Sequence, residues 1–371
     1  MSTPARILFV SQTAAAAGPT TSLGLLIDRI AQKHEVGVLF CGDGPFRERL
    51  EEKNVPYWSL PSLTRERIPE VYGLLRRERF DLVYANETSG SSRNACWTAA
   101  LTGTPFVSHV RSMGWDHGWR RLGHLKAARA VIAVSRACAH SVERYVRPGR
   151  LHVVHNGMPP PAPVSGRNGN ERGRIKAELG LSPDDRLVLN VGRVSPRKGQ
   201  LHALEAMGEV VAQVPDARLV LAGAYEQSPD YVRQLCALGS APPLDGKVRL
   251  LGHRSDVARL LSAADAVFHT ALADPHPRAV LEAMAAGVPV VAFATDGVAE
   301  TVIHGRTGYL VSPRDARRAA AYLTRILTDR GRAREMGKAG RERVALEFSE
   351  ARTSCRVEGI VEKALTSGAL Q

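Results

Sequence analysis

Short runs of β-branched and aliphatic residues alternate with longer segments of helical periodicity along most of the chain. In the first half, these runs predict buried strands at residues 6–11, 35–41, 81–87, 104–110, 130–135 and 151–156. Helical patterns intervene, among them those at residues 21–33, 67–79 and 136–146. Strands that alternate with helices form parallel sheets covered on both faces, so this pattern predicts a doubly wound α/β domain.

The same alternation restarts after a segment that has no apolar periodicity. Residues 156–173 are rich in Pro, Gly, Asn and Ser, a composition typical of an interdomain linker. Beyond it, strands are predicted at residues 185–194, 217–224, 247–253, 266–271, 288–293 and 308–312, and helices at 199–213, 255–263 and 278–286.

The length of 371 residues exceeds one ordinary hydrophobic core and fits two domains. We therefore expect an N-terminal domain at residues 1–157, a linker at 158–173 and a C-terminal domain at 174–345. A helix at residues 346–371 is expected to pack back on the N-terminal domain.

The net charge leaves several partners open. The chain has 50 Lys and Arg against 37 Asp and Glu, a formal net charge of +13, but the basic residues are spread along it. This excess indicates codon bias, or else an anionic substrate, an acidic acceptor or a membrane surface; no nucleic-acid partner is expected. The best candidate for a surface patch is residues 111–130, where Trp115 and Trp119 stand among Arg and Lys as in an interfacial segment.

Several classes of protein do not fit the sequence. The longest apolar runs are far shorter than the roughly 20 residues of a membrane span. The first residues lack the apolar core and cleavage site of a secretory signal, so we expect a cytoplasmic protein, with peripheral contact to the inner membrane face left open. Neither half carries GxGxxG or a P-loop, and the 5 cysteines show no metal-ligand spacing, so no metal site is predicted.

A basic loop follows the first strand of the second half. In "NVGRVSPRKGQ", Arg193 and Lys198 stand five positions apart, directly before Gly199 and a predicted helix. Two cations beside the unpaired backbone N–H groups of a helix N-terminus can bind a diphosphate. The alternative is an exposed turn with solvated charges.

Two carboxylates frame the start of another helix. In "DPHPRAVLEAMAAG", Asp274 precedes a helix predicted from about Arg278, and Glu282 lies on its second turn. Early helix N–H groups bond anions or hydroxyls, and carboxylates accept hydrogen bonds from paired hydroxyls. The pair therefore suits a sugar joined to a nucleotide, with one acid for each sugar ring. Alternatively, Asp274 only initiates the helix and Glu282 only pairs with an arginine.

These segments resemble a known family, the retaining GT-B glycosyltransferases of family 4, whose C-terminal domains carry an acid-x7-acid motif. The similar segments are "VIAVSRACAHSVERYV…LHVVHNGM", "VGRVSPRKG", "LVLAGA", "VRLLGHRSDVARLLSAADAVFHTA" and "DPHPRAVLEAMAAGVPVVAFATDGVAETVIHGRTGYLV". They are in order along most of the chain and match best from residue 186 to 312. The resemblance implies a GT-B fold, in which two Rossmann-like, doubly wound parallel-sheet domains face a cleft.

The resemblance also implies catalytic roles. Arg193 and Lys198 would bind the donor diphosphate and support its departing charge, in place of the metal ion that other transferases use. Asp274 matches the first acid of the motif, which contacts the transferred sugar, and Glu282 matches the second, which bonds the ribose hydroxyls. His109 matches a histidine that faces the sugar from the N-terminal domain.

Further residues are assigned to donor binding. Gly18 matches part of a glycine pair near the acceptor and the diphosphate, and the segment from Arg254 to Val257 would lie by the base. The loop and helix start that follow Asp274 complete the predicted donor site with His276, Pro277, Arg278 and Ala279.

The sequence departs from the family pattern at three places. Asp274 is one methylene shorter than the usual Glu, His276-Pro277 replaces the common Phe-Gly, and Gly18-Pro19 replaces the glycine pair. Both prolines lack an N–H to offer a ligand. These departures affect the contacts to the donor sugar and leave the diphosphate clamp unchanged.

The function implied is a retaining hexosyltransferase that moves a sugar from a UDP- or GDP-linked donor to an acceptor hydroxyl, with no metal or other cofactor. Retention without an enzymatic nucleophile implies front-face attack. The acceptor could be a small molecule, a lipid or a glycan, in natural-product or cell-surface glycoconjugate biosynthesis. Two alternatives remain: a nucleotide-sugar epimerase or hydrolase of the same fold, and a non-catalytic nucleotide-sugar-binding module.

Overall fold

The computed structural model describes residues 4–15, 18–87, 90–113, 122–160, 169–225 and 228–366. They form two compact units. The first contains the chain up to Gly157 together with the segment from Glu350 onward, and the second runs from Met158 to Ser349.

The first unit is built on a seven-stranded parallel sheet. Its strands are β1 (Arg6–Ser11), β2 (Glu35–Cys41), β3 (Tyr57–Leu60), β4 (Leu82–Ala85), β5 (Phe106–Val110), β6 (Ala130–Ala133) and β7 (Leu151–Val153). They lie in the order β3-β2-β1-β4-β5-β6-β7. The order reverses between β1 and β4, which makes this pair the topological switch point of a doubly wound sheet.

Helices cover both faces of this sheet. They are α1 (Gly18–Ile30), α2 (Pro45–Glu52), α3 (Ile68–Glu78), α4 (Ser91–Thr102), α5 (Arg136–Val142) and the C-terminal helix (Glu350–Thr366). One core lies between the sheet and α1, α2 and the C-terminal helix, and the other between the sheet and α3, α4 and α5. The Glu358 carboxylate on the C-terminal helix pairs with Lys33 at 2.6 Å and with Arg29 at 2.8 Å.

The second unit repeats this design with a six-stranded parallel sheet. Its strands are β8 (Arg186–Val191), β9 (Ala217–Ala222), β10 (Val248–Leu250), β11 (Ala266–His269), β12 (Val290–Phe293) and β13 (Gly308–Val311). They lie in the order β10-β9-β8-β11-β12-β13, so the switch point falls between β8 and β11.

The helices of the second unit follow the strands in alternation. They are α6 (Gly169–Glu178), α7 (Gln200–Gln213), α8 (Pro229–Gly239), α9 (Val257–Ala263), α10 (Arg278–Ala285), α11 (Val298–Thr301), α12 (Ala316–Thr328) and α13 (Arg330–Glu347). Helix α6 begins at Gly169, inside the segment up to residue 173 that the sequence analysis assigns to a linker. Within the described residues, no helix combines the length and apolarity needed to span a bilayer.

The loops after β8 and β9 approach each other so closely that glycine is required between them. Gly223 follows β9, and a Cβ at this position would collide with the carbonyl oxygen of Gly192, which follows β8. The missing side chain lets the two loops run side by side at the carboxyl edge of the sheet, where ligands bind in this type of fold.

We predict that Gly223→Ala lowers the free energy of unfolding by about 1–3 kcal/mol, because the added methyl group forces the two backbones apart. Gly208→Ala is the matched control. Gly208 lies inside α7, and the nearest atom to an added Cβ is 3.9 Å away, so this change should be neutral or stabilising. Urea unfolding followed by circular dichroism compares the two, and equal midpoints would contradict the close approach.

Candidate functional site

The basic loop after β8 is held in place by the first residue of α7. Arg193 is exposed, and Lys198 ends a single 3-10 turn at Pro196–Lys198. The buried Gln200 donates through Nε2 to the Arg193 carbonyl oxygen at 2.8 Å and accepts from the Ser195 N–H at 3.3 Å. The loop is therefore shaped by hydrogen bonds before any ligand arrives.

Backbone contacts tie this loop to the loop after β11. The Thr270 hydroxyl donates to the Lys198 carbonyl oxygen at 2.8 Å, and the Leu272 N–H donates to the Arg197 carbonyl oxygen at 2.9 Å. Gly199 has φ 65°, and a Cβ there would collide with the Thr270 carbonyl oxygen. The predicted basic loop and the loop that carries Asp274 thus meet at the switch point.

Asp274 is a buried carboxylate between two basic side chains. Its Oδ2 accepts from Lys198 Nζ at 2.5 Å and lies 3.4 Å from His269 Nε2, a longer and more weakly bonded contact. Burial alone would raise the pKa of Asp274, but the bonding and charge of His269 and Lys198 outweigh it and hold this pKa well below its usual range. Asp274 is therefore ionised at neutral pH.

The backbone around Asp274 rests on an Asp-Gly turn after β12. The Asp274 N–H donates to Asp296 Oδ2 at 2.9 Å, and the Gly297 N–H donates to the Asp274 carbonyl oxygen at 3.2 Å. A Cβ at Gly297 would collide with the carbonyl oxygen of Pro275. The sequence patterns above do not include this turn, although Asp-Gly is a strong turn signal that could have found it.

Arg278 and Glu282 form a loose pair on α10. Arg278 Nη2 lies 3.6 Å from Glu282 Oε1, so the structure contains the arginine contact that was the alternative interpretation of Glu282. Burial lowers the pKa of Arg278 and raises that of Glu282, and the opposite charge partly offsets each shift. The Glu282 side chain is still 29% exposed, so its carboxylate is accessible to a hydroxyl.

The remaining residues between Asp274 and α10 differ in which of their groups could contact a ligand. The His276 ring is buried against Phe348, with 5.6 Å between ring centroids, and its Nε2 lies 3.4 Å from the Thr301 hydroxyl. A ligand contact from His276 would therefore come from its backbone. Pro277 is the N-cap residue of α10, and Ala279 lies in its first turn.

The segment predicted to lie by the base follows β10 at the same edge of the sheet. Arg254 forms a bidentate pair with Asp256, with both N–O distances 2.7 Å, and α9 begins at Val257. Because β9 separates β10 from β8, this segment stands two strand spacings, about 10 Å, from the basic loop.

In the first unit, the buried His109 on β5 is fixed in one tautomer. Its Nδ1 lies 2.5 Å from the Tyr84 hydroxyl and 3.3 Å from Arg111 Nη2. Because arginine only donates, Nδ1 must accept, and the ring proton lies on Nε2. Burial and the charge of Arg111 hold the pKa of His109 well below its usual value, so the ring is neutral. It can donate a hydrogen bond through Nε2 but cannot act there as a base.

Arg111 is anchored at the carboxyl edge of this sheet by two amides. Nε donates to Asn86 Oδ1 at 2.8 Å and Nη1 to Asn156 Oδ1 at 2.9 Å. Asn86 in turn donates to the Pro19 carbonyl oxygen at 3.2 Å, next to Gly18 at the start of α1. A cavity of about 20 Å³, room for about one water molecule, lies beside His109. In the part of the chain that the structure describes, His109 Nε2 has no hydrogen-bond partner.

Two further points concern the predicted surface patch and the grouping of possible metal ligands. Trp115 and Trp119 of the predicted surface patch lie outside the described residues. Over the described ranges, no three His, Cys, Asp or Glu side chains come together as metal ligands.

We predict that Lys198→Met lowers the free energy of unfolding by about 3 kcal/mol, because it leaves the Asp274 charge buried without its nearest cation. The double variant Lys198→Met/Asp274→Asn should recover much of this loss, and Arg197→Met, in the same turn but exposed, should change little. The folded-state pKa of Asp274 is depressed, so this stabilisation is present above about pH 4 and is lost as the pH falls through the folded-state pKa. Urea unfolding at neutral pH compares the parent, the single variants and the double variant. An unfolding midpoint of Lys198→Met equal to that of the parent would contradict the predicted loss of stability.

Comparisons with known proteins match both halves of the chain. The family model described as glycosyl transferases group 1 matches residues 171–343, and the model described as glycosyltransferase family 4 matches residues 17–160. The uncharacterized glycosyltransferase MJ1607 of Methanocaldococcus jannaschii is 30% identical over 346 residues, which cover 83% of this chain and 84% of that relative.

Two further relatives match over a smaller share. Alpha-maltose-1-phosphate synthase of Mycolicibacterium smegmatis is 34% identical over 62% of each chain. N-acetyl-alpha-D-glucosaminyl L-malate synthase of Bacillus anthracis is 25% identical over 64% of this chain and 60% of its own. The chain thus spans less than two thirds of the length of both relatives.

Solved structures match over nearly the whole chain. Anabaena Alr3699/HepE, crystallised in complex with UDP and glucose, has a TM-score of 0.86 at 22% identity and is covered over 100% of its length, with 97% of this chain. WaaG, a glycosyltransferase involved in lipopolysaccharide biosynthesis, has a TM-score of 0.76 at 18% identity, over 96% of this chain and 99% of WaaG. The chain belongs to glycosyltransferase family 4, the glycosyl transferases of group 1, and has the GT-B fold.

Proposed function

We propose that this protein is a retaining glycosyltransferase that moves a sugar from a nucleoside diphosphate sugar, UDP- or GDP-linked, to an acceptor hydroxyl. One observation carries the proposal: the basic loop, the ionised Asp274 and the start of α10 meet at the switch point of the second sheet. The complex of Anabaena Alr3699/HepE with UDP and glucose supports this choice of donor class.

Arg193 and Lys198 are assigned to the donor diphosphate. Lys198 Nζ has three donors, so it can bond a phosphate oxygen while it stays on Asp274 Oδ2. The two cations and the N-terminus of α10 would stabilise the negative charge that develops on the leaving diphosphate. Since these groups supply the charge that a divalent metal supplies elsewhere, we propose that the reaction needs no metal ion.

The two acids are assigned to hydroxyl groups. Lys198 and His269 both lie at Oδ2 of Asp274, so Oδ1 is the oxygen assigned to a hydroxyl of the transferred sugar. Glu282, partly exposed on α10, is assigned to the ribose hydroxyls.

A front-face substitution is the mechanism that fits these roles. The bond from the anomeric carbon to the diphosphate oxygen breaks while the acceptor oxygen bonds to the same face of that carbon. The acceptor proton passes to the departing phosphate oxygen, so no protein base is needed. His109 would donate its Nε2–H to an oxygen of the sugar, a role that its fixed neutral tautomer supports.

The acceptor is proposed only as a class, a hydroxyl on a small molecule, a lipid or a glycan. Relatives carry names as different as N-acetyl-alpha-D-glucosaminyl L-malate synthase and UDP-Gal:alpha-D-GlcNAc-diphosphoundecaprenol alpha-1,3-galactosyltransferase. We propose a cytoplasmic enzyme, with peripheral membrane contact if the acceptor is lipid-linked.

Arg193→Ala is expected to reduce turnover at least about a hundredfold, because it removes one charge contact to the leaving diphosphate while the Lys198–Asp274 pair stays intact. Lys198→Ala should reduce turnover at least as much. The control is Arg197→Ala, an exposed cation in the same turn, which should leave the rate within about twofold of the parent. Near-normal rates for Arg193→Ala would refute the assignment of this residue.

Release of UDP or GDP, measured in EDTA with and without a panel of candidate alcohols, separates the proposal from its alternatives. A transferase should release nucleotide in proportion to glycoside formed, and NMR should show the donor's anomeric configuration in the product. Equal nucleotide release without any acceptor would indicate a hydrolase, and conversion of the donor sugar to its epimer on the nucleotide would indicate an epimerase. Tight nucleotide binding without turnover would indicate a binding module.

A further inference from the structure

The loop after β9 presents an aromatic ring at the sheet edge that carries the proposed donor site. Tyr225 is 49% exposed, whereas the phenylalanines of the same unit, such as Phe268 and Phe293, are fully buried. Aromatic rings bury a large area when they meet a partner, so a half-exposed tyrosine at a ligand-binding edge is suited to stack on a flat ligand.

Backbone contacts fix Tyr225 beside the basic loop. Val194, the residue after Arg193, forms a parallel β-bridge with Tyr225, and its N–H donates to the Ala224 carbonyl oxygen at 2.9 Å. The position of the Tyr225 backbone relative to the proposed diphosphate clamp is therefore set by main-chain hydrogen bonds.

The loop after β10 contacts the loop that carries Tyr225 and passes close to its ring. The Gly223 N–H donates to the Gly252 carbonyl oxygen at 2.8 Å, and a Cβ at Gly252 would lie 3.8 Å from Tyr225 Cε2. Gly252 has φ 66°, a conformation that favours glycine, so this position adds no side chain beside the ring. The Arg254–Asp256 pair follows directly, in the segment that the family resemblance places by the base.

We propose that Tyr225 is the stacking platform for the base of the nucleoside diphosphate, between the loops after β9 and β10. The inference rests on the proposed function and adds the residue that binds the base. The loop after β9 lies about 5 Å from the basic loop and the loop after β10 about 10 Å from it, a range that the ribose bridges between diphosphate and base. Because stacking tolerates any base, Tyr225 sets donor affinity and leaves the choice of base to hydrogen bonds from the neighbouring loops.

The test compares Tyr225→Ala with Tyr225→Phe in the full-length protein, by calorimetric titration with UDP, GDP and inorganic pyrophosphate. Tyr225→Ala should lower the affinity for UDP or GDP, whichever the parent binds more tightly, by about tenfold or more. Stacking on one base is typically worth that much. Tyr225→Phe keeps the ring and should stay within about twofold of the parent. Pyrophosphate has no base and should bind all three proteins equally.

Kinetics give a second readout. With a donor sugar, Tyr225→Ala should raise KM while kcat stays close to the parent value, because the base contact is the same in the ground state and the transition state. The control Tyr72→Ala, which removes an exposed tyrosine of the first unit, should change neither constant.

Three results would overturn the inference. Equal nucleotide affinity in Tyr225→Ala and the parent would exclude stacking and leave the proposed function intact. A parallel loss of pyrophosphate affinity would show that Tyr225 supports the clamp loop instead of the base. If the parent bound neither nucleotide nor pyrophosphate, the proposed function itself would fail, and the inference with it.

Discussion

The contact between Lys198 and Asp274 joins the loops after β8 and β11 through a partly buried pair of opposite charges, 2.5 Å apart. The buried Asp274 charge needs a partner, because removing a charge from water costs several kcal/mol unless another charge compensates it. The pair therefore fixes an ammonium group and an ionised carboxylate at the switch point of the sheet. The proposed chemistry needs both groups there, one for the diphosphate and one for the sugar.

Glycines and backbone hydrogen bonds hold the loops around this pair close together. Gly199 and Gly297 let neighbouring backbones approach where any side chain would collide, and Gly223 does the same between the loops after β8 and β9. The result is a sheet edge on which the groups assigned to sugar, diphosphate and base follow one another from β11 to β10. The order of the strands thus sets the order in which the parts of a nucleotide sugar would bind.

The sequence predicts most of the fold, because strands buried on both faces are continuous apolar runs that local patterns detect. It does not predict β3, whose four residues lie at the edge of the first sheet and are partly exposed, or short helices such as α2 and α11. Spacing and family resemblance single out Lys198 and Asp274 but give no sign that they touch across 76 positions. The contacts of Tyr84 with His109 and of Asp296 with Asp274 span 25 and 22 positions, and no local pattern encodes such pairs.

The proposed chemistry requires the second unit to bind a pyrophosphate bridge through its basic loop and the start of α10. The most direct measurement is a crystal structure of the protein with UDP or GDP. We expect the diphosphate to lie within hydrogen-bond distance of Arg193 and Lys198 and against the first turn of α10. A diphosphate bound elsewhere, remote from both side chains, would contradict this expectation.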